Sequence, residues 1–314
     1  MLNPQAKALL ELIETLGAPP MNTLPVAEAR AQYRDRRYAT QPTPPEVSSV
    51  SDHQVKVGNG SIAARAYRPL GSRPDAVLPV LVYYHGGGWT IGDLDTHDTL
   101  CRSLANGAKC AVVSVDYRMG PEHRFPIAVD DSMAALRWVV ANALMLGIDP
   151  SRVAVGGDSA GGNLAAVVSL LARDAGRPSI KFQLLIYPAT DQRAQFESHR
   201  RNGTGYLLTA ALMDWFRDQY HGSPDEYLDW RASPMLAGSH EKLPPALVLT
   251  AGYDPLVDEG QAYARLLAGA GVAVESICYE GQIHGFITMG KMIDEANEAV
   301  DKCAQALAKA LGTA

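Results

Sequence analysis

Residues 153–162 read Val-Ala-Val-Gly-Gly-Asp-Ser-Ala-Gly-Gly, a β-rich run that ends in G-x-S-x-G at Gly157 to Gly161. A serine on a tight strand-to-helix turn exposes its Oγ, and small neighbours avoid the clash such a turn creates. Ser159 is therefore the candidate nucleophile. Its hydroxyl needs a base to take the proton, and the base needs a carboxylate that fixes its tautomer and stabilises its cation. Downstream, residues 247–255 read LVLTAGYDP and place Asp254 just past a strand, while residues 281–286 read GQIHGF and place His284 on a loop after the next strand. Parallel strands bring such positions to one sheet edge, so Ser159, His284 and Asp254 are expected to meet as nucleophile, base and orienting acid. The base must be unprotonated to act, so activity should fall as acid titrates His284.

Residues 83–89 read YYHGGGW and follow another strand. Three adjacent glycines let backbone N–H groups turn toward a developing oxyanion. Gly86, Gly87 and Gly88 are the candidate donors from this loop, with the N–H of Ala160 completing the hole. Which of the three glycines donate stays open.

The elements that must position these groups follow from pattern. Leu9, Leu10, Ile13 and Leu16 fall at helical spacing, closed by Gly17 and two prolines, and a charged helix over 26–37 leads into a proline-rich boundary at 38–45. Short runs rich in β-formers are expected as strands at 54–57, 61–67, 78–84, 111–117, 153–156, 182–187, 246–251 and 273–279. Helical segments at 95–108, 128–146, 163–175, 259–270 and 293–311 lie between them at the spacing of parallel crossovers. The fold class is thus α/β, an eight-stranded, mostly parallel sheet flanked by helices. The interval 191–239 is too long for an ordinary connection and reads as an insertion. Within it, 209–220 is expected to form a helix with Thr209 as N-cap and Leu212, Trp215 and Phe216 on one face. The chain therefore divides into an N-terminal arm (1–45), a core in two parts (46–190 and 240–314) and the insertion (191–239).

Composition narrows the function. Of 314 residues 47% are hydrophobic, enough for a buried core, and Lys+Arg 28 against Asp+Glu 34 gives a net charge of −6, the wrong sign for a phosphate-binding surface. No nucleic-acid partner is expected. No apolar stretch approaches the roughly 20 residues that span a bilayer, and the N-terminus lacks the basic start, apolar block and cleavage site of a secretion signal. A cytoplasmic location without membrane association follows as the expectation. Cys101, Cys110, Cys278 and Cys303 have no metal-ligand spacing, so no metal or other cofactor and no disulfide scaffold is expected.

Taken together, HGGGW at 85–89, DYRMGPEHRFP at 116–126, GDSAGGN at 157–163, DPLVDE at 254–259 and HGF at 284–286 resemble the hormone-sensitive-lipase-like (bacterial family IV) carboxylesterases of the α/β-hydrolase superfamily. The resemblance implies the α/β-hydrolase fold with a discontinuous helical cap built from the arm and the insertion. It also implies Ser159, His284 and Asp254 as the triad, an oxyanion hole at Gly87, Gly88 and Ala160, and pairing of two copies through the edge of the sheet. The implied reaction is hydrolysis of small, short-chain apolar esters through an acyl-serine intermediate. A deacetylase or amidase would use the same triad, and a small-molecule receptor on this fold would keep the pocket and lose a triad member. The absence of a large apolar lid speaks against long-chain lipids.

Other residues have blander readings. Of the eight histidines, His53, His97, His199, His221 and His240 read as surface residues, His85 as a brace for the glycine loop and His123 as structural. Asp191, Asp258 and Glu259 are the other acid candidates: Asp191 marks the start of the insertion, Asp258 would support the His284 loop, and Glu259 would complement a helix N-terminus. Asp158 either binds substrate or anchors the turn at Ser159. Trp89, Asp158, Tyr187, Trp215 and Phe286 are the candidate pocket residues.

Overall fold

The computed structural model describes every residue from Met1 to Ala314. Eight strands form one sheet: β1 (Ser49–Val57), β2 (Gly60–Arg68), β3 (Leu78–Tyr84), β4 (Ala111–Asp116), β5 (Ile148–Asp158), β6 (Phe182–Ile186), β7 (Ala246–Tyr253) and β8 (Val274–Ile283), in the order β1-β2-β4-β3-β5-β6-β7-β8. β1 and β2 make a hairpin and β2 runs antiparallel to β4, whereas every other pairing is parallel. The helices are α1 (Pro4–Leu16), α2 (Val26–Thr40), α3 (Asp98–Ala108), α4 (Ile127–Ala141), α5 (Ala143–Leu146), α6 (Ala160–Ala175), α7 (Glu197–Arg201), α8 (Ala210–Tyr220), α9 (Val257–Gly269) and α10 (Asp294–Leu311).

Alternation along each central strand feeds two cores. On β3, Val80, Val82 and Tyr84 face one cluster with residues of α4, α6 and α9, while Leu81 and Tyr83 face the other with residues of α3 and α10. That two-sided burial explains why these strands read as continuous apolar runs rather than as alternating ones. The parallel direction puts the carboxyl ends of β3, β5, β7 and β8 along one edge, each followed by a loop that carries candidate chemistry.

Several boundaries move. The second helix runs on to Thr40, and the segment expected at 128–146 breaks at Asn142 into α4 and α5. β5 begins at Ile148, which pairs with Leu78 through a stretch of Asp, Pro, Ser and Arg that carries no strand signal. β8 continues to Ile283, paired with Tyr253, and so delivers the chain to His284. No helix is long and apolar enough to cross a membrane.

The arm is clamped to the core by arginines of α2. Arg30 donates to the carbonyls of Thr90 and Gly120, 2.8 Å each, and pairs with Glu122, and Arg34 pairs with Asp93. Two asparagines secure the insertion. Asn163 Nδ2 donates to the carbonyls of Ala189 and Ala232 at 2.8 Å, and Asn202 Nδ2 to those of Gly252 and Asp254 at 3.0 Å.

Candidate active site

Between β5 and α6, Ser159 adopts φ 55° and ψ −116°, a region that L residues avoid. A Cβ on either Gly157 or Gly161 would run into the carbonyl oxygen of Tyr84. The two glycines of G-x-S-x-G are therefore steric requirements of a turn packed against the end of β3. The Ser159 N–H donates to Ile186 O at 2.8 Å, which ties the turn to β6 as well.

The structure brings Ser159, His284 and Asp254 into one hydrogen-bonded line. His284 Nε2 lies 2.9 Å from Ser159 Oγ and Nδ1 lies 2.6 Å from Asp254 Oδ2. The Asp254 side chain is fully buried, and its other oxygen accepts from Leu256 N at 2.8 Å. With Nδ1–H given to the carboxylate, Nε2 is left to accept the serine hydroxyl. The Tyr187 ring packs against the imidazole at 4.6 Å between centroids and touches Phe286 in turn.

The glycine loop after β3 is held at each of its first peptides. Gly86 N–H donates to Asp158 Oδ1 at 3.0 Å, and Gly86 C=O accepts from His85 Nδ1 at 2.8 Å. Gly87 (φ 123°) accepts from Thr90 N and Ile91 N at 3.0 and 2.9 Å, and Gly88 (φ 56°) accepts from the Thr90 hydroxyl at 2.9 Å. The N–H groups of Gly87, Gly88 and Ala160 have no protein acceptor. Gly86 is thus corrected as an oxyanion donor, because its N–H is already spent on Asp158. His85 is fully buried and stacked on Tyr117, and burial followed by the nearby His97 charge lowers its pKa to about 4, so it braces the loop as a neutral ring.

These groups open into a cavity of about 1110 Å³ whose walls come from the arm, the insertion and the core loops. Trp89 lines it, stacked on Tyr220 at 4.6 Å. Asp158 lines it as well, with its carboxylate engaged by Gly86, Tyr83 and His97. The other three pocket candidates are corrected: Tyr187 and Phe286 are buried behind His284, and Trp215 packs beside Phe216 outside the lining. An aromatic's identity does not reveal which side of a loop it occupies. The wall residues missed by pattern are Leu207, Leu212, Met213 and Phe216 from the insertion and Tyr33 from α2. Phe216 packs directly over Gly88, where any Cβ would meet its ring. Tyr33 is desolvated there, which pushes its phenol up to about 12.

Four of the five histidines expected at the surface are buried: His97, His199, His221 and His240. Each has a polar partner, respectively Asp158, Glu259, Glu226 and the carbonyl of Pro234; the first two lie about sixty residues away and leave no local sequence signal, while the last two are five and six residues away. His123 is exposed. Asp258 bonds Ser198 N and Arg201 rather than the His284 loop, and Asp191 pairs with Arg193. Glu259 is buried in the first turn of α9, where one oxygen accepts from Thr190 N and Asp191 N and the other faces His199 at 2.6 Å.

Known proteins resemble the whole of this arrangement. Residues 81–288 match a protein family described by the alpha/beta hydrolase fold. An ethyl acetate hydrolase of Pseudomonas putida is 41% identical over 98% of both chains, and the carboxylesterase NlhH of Mycobacterium tuberculosis is 43% identical over 91% of this chain and 90% of its own. An ester hydrolase from the metagenome of Lake Arreo, solved with a derivative of bipyridine phosphonate, superposes with a TM-score of 0.96 at 44% identity and covers 100% of both chains.

Proposed function

Since this chain belongs to the hormone-sensitive-lipase-like carboxylesterases of the α/β-hydrolase superfamily and is a carboxylic ester hydrolase acting on short esters, we propose that Ser159, His284 and Asp254 carry its reaction. Ser159 Oγ attacks the ester carbonyl while His284 Nε2 takes its proton, and Asp254 holds the imidazole tautomer and stabilises the cation that forms. The tetrahedral oxyanion is met by the N–H groups of Gly87, Gly88 and Ala160, each donor of this kind being worth about 3–4 kcal/mol in the transition state. His284 then protonates the departing alcohol, which leaves an acyl-serine. A water activated by the same imidazole releases the acid and restores the hydroxyl.

The observation that carries this reading is the unbroken line from Ser159 through His284 to Asp254, at 2.9 and 2.6 Å. Its test is Ser159→Ala, expected to abolish hydrolysis of a short-chain nitrophenyl ester and labelling by a phosphonate. Retention of near wild-type rates would sink the assignment. The arm and the insertion are read as one cap, because both wall the cavity and α8 packs on the turn Met21–Thr23 of the arm. Four unpaired cysteines suit a reducing cytoplasm. A dimer joined through β8, one of the two edge strands of the sheet, belongs to the same reading, and sedimentation would test it.

A further inference from the structure

Besides His284 and Asp254, a buried histidine–carboxylate pair adjoins the serine turn through Asp158, the residue before Ser159. His97 Nε2 sits 3.2 Å from Asp158 Oδ1, and its Nδ1 sits 3.0 Å from Thr96 Oγ1, which is itself bonded to the Asp93 backbone. The same Asp158 oxygen accepts from the Tyr83 hydroxyl at 2.7 Å and from Gly86 N at 3.0 Å. Both side chains of the pair are buried. Burial alone would raise the Asp158 carboxyl, yet the charge and hydrogen bond of His97 and the hydrogen bond of Tyr83 outweigh it and hold the group below its usual range. Asp158 is therefore a fixed anion at the junction of β3 and β5, one residue before the serine. The fit around it is tight, because a Cβ on Gly86 would strike the Asp158 carboxylate and carbonyl.

The consequence lies in the peptide planes. In a trans peptide the C=O of one residue and the N–H of the next point in opposite directions. Asp158 holds Gly86 N–H, His85 Nδ1 holds Gly86 C=O, and Thr90 and Ile91 hold Gly87 C=O. The N–H groups of Gly87 and Gly88 are then aimed opposite the carbonyls held by His85 and by Thr90 and Ile91, without a protein partner of their own, while Asp158 fixes the preceding His85–Gly86 peptide from which the loop leaves β3. A run of glycines left unanchored would sample many orientations, and oxyanion stabilisation depends on donors that are already in place.

Resting on the assignment of Ser159 as nucleophile, we propose that His97, Asp158 and Tyr83 are positioning residues for the oxyanion-binding amides: a His–Asp couple that fixes the loop as His284–Asp254 fixes the base. None of the three touches the reacting atoms, so the effect reaches the chemistry only through the loop.

The decisive experiment compares His97→Leu, His97→Gln and Tyr83→Phe in the full chain. His97→Leu removes the donor and should lower kcat by on the order of tenfold, a fraction of the 10²–10³ lost with a whole donor, while KM stays within about twofold. The second-order rate of inactivation by a phosphonate, whose transition state also develops an oxyanion, should fall by the same factor as kcat/KM. His97→Gln keeps an N–H near the position of Nε2 and should recover most of both rates. Should His97→Leu fail to fold, Tyr83→Phe, which deletes only a hydroxyl, must show the same kcat loss at constant KM. The proposal is overturned if kcat is unchanged in folded His97→Leu or Tyr83→Phe, if the loss lies in KM alone, or if Gln does no better than Leu. Ser159→Ala run in parallel separates the two levels. An active Ser159→Ala removes the nucleophile itself, whereas an inactive Ser159→Ala beside a fully active His97→Leu removes only the positioning role.

Discussion

At Gly161 a single added methyl group would meet the Tyr84 carbonyl, and at Gly88 it would meet the Phe216 ring. The contacts that exclude a side chain there come from distant parts of the chain, yet the residues are legible because they fall in short glycine motifs, G-x-S-x-G and HGGG, that directly follow β-rich runs. The proposed Ser159, His284 and Asp254 are legible as well, since each follows a β-rich run at a recognisable offset. The pairing of Asp158 with His97 is not, because the groups that satisfy Asp158 sit at positions 83, 86 and 97, on a different strand and loop. At this scale the sharpest expectation concerns Asp254, whose carboxylate accepts from both His284 Nδ1 and Leu256 N. Asp254→Asn should keep the fold and its melting temperature close to wild type and lower kcat on the order of 10⁴, the loss associated with the wrong imidazole tautomer. A loss below about tenfold would show that another acid serves His284.

Among the elements, α8 has the most influence on what enters the site. Its apolar face was readable from spacing, and Thr209 caps it by accepting from Leu212 N at 3.2 Å. What spacing did not give was the direction of that face: Phe216, not Trp215, lies over Gly88 and the cavity. Neighbours one position apart on a helix point about 100° from each other, so the choice is made by packing rather than by composition. Phe216→Ala should enlarge the cavity beside the glycine loop and raise kcat/KM for longer esters relative to short ones. Each further methylene accommodated is worth roughly 0.8 kcal/mol, or about fourfold. A chain-length series of nitrophenyl and alkyl esters measures this, and an unchanged profile would place the limiting wall elsewhere. The arm illustrates the same limit of pattern. Its helices were expected, but the Arg30 contacts with Thr90, Gly120 and Glu122 that seat α2 join segments far apart in sequence.

For the whole molecule, stability against pH follows from groups buried with and without partners. His85 and His221 are each lowered to about 4, mainly by burial. In the unfolded chain they take up protons near the ordinary value of about 6.5, so stability should decline as pH falls from there toward about 4. His199 has the opposite sign. Burial alone would lower it, but the hydrogen bond and charge of Glu259 overcome this and raise it. Its contribution is therefore complete below about pH 6.5 and is lost as pH rises through its raised folded value. Urea midpoints across pH should pass through a maximum, and His199→Gln should flatten the alkaline side only; an unaltered alkaline slope would assign that limb to other groups. The architecture itself was legible because strand and helix patterns alternate along most of the chain. Three short polar seams escaped notice: Asn163 to Ala189 and Ala232, Asn202 to Gly252 and Asp254, and Glu259 to Thr190, Asp191 and His199. Those seams set a rule for grafting. An insertion transplanted from a relative would inherit a working sheet and serine turn, yet it must bring counterparts of Asn202 and His199 and offer a carbonyl to Asn163. Without them the transplant would slacken the loop that carries Asp254, so a swap meant to change specificity would cost turnover instead.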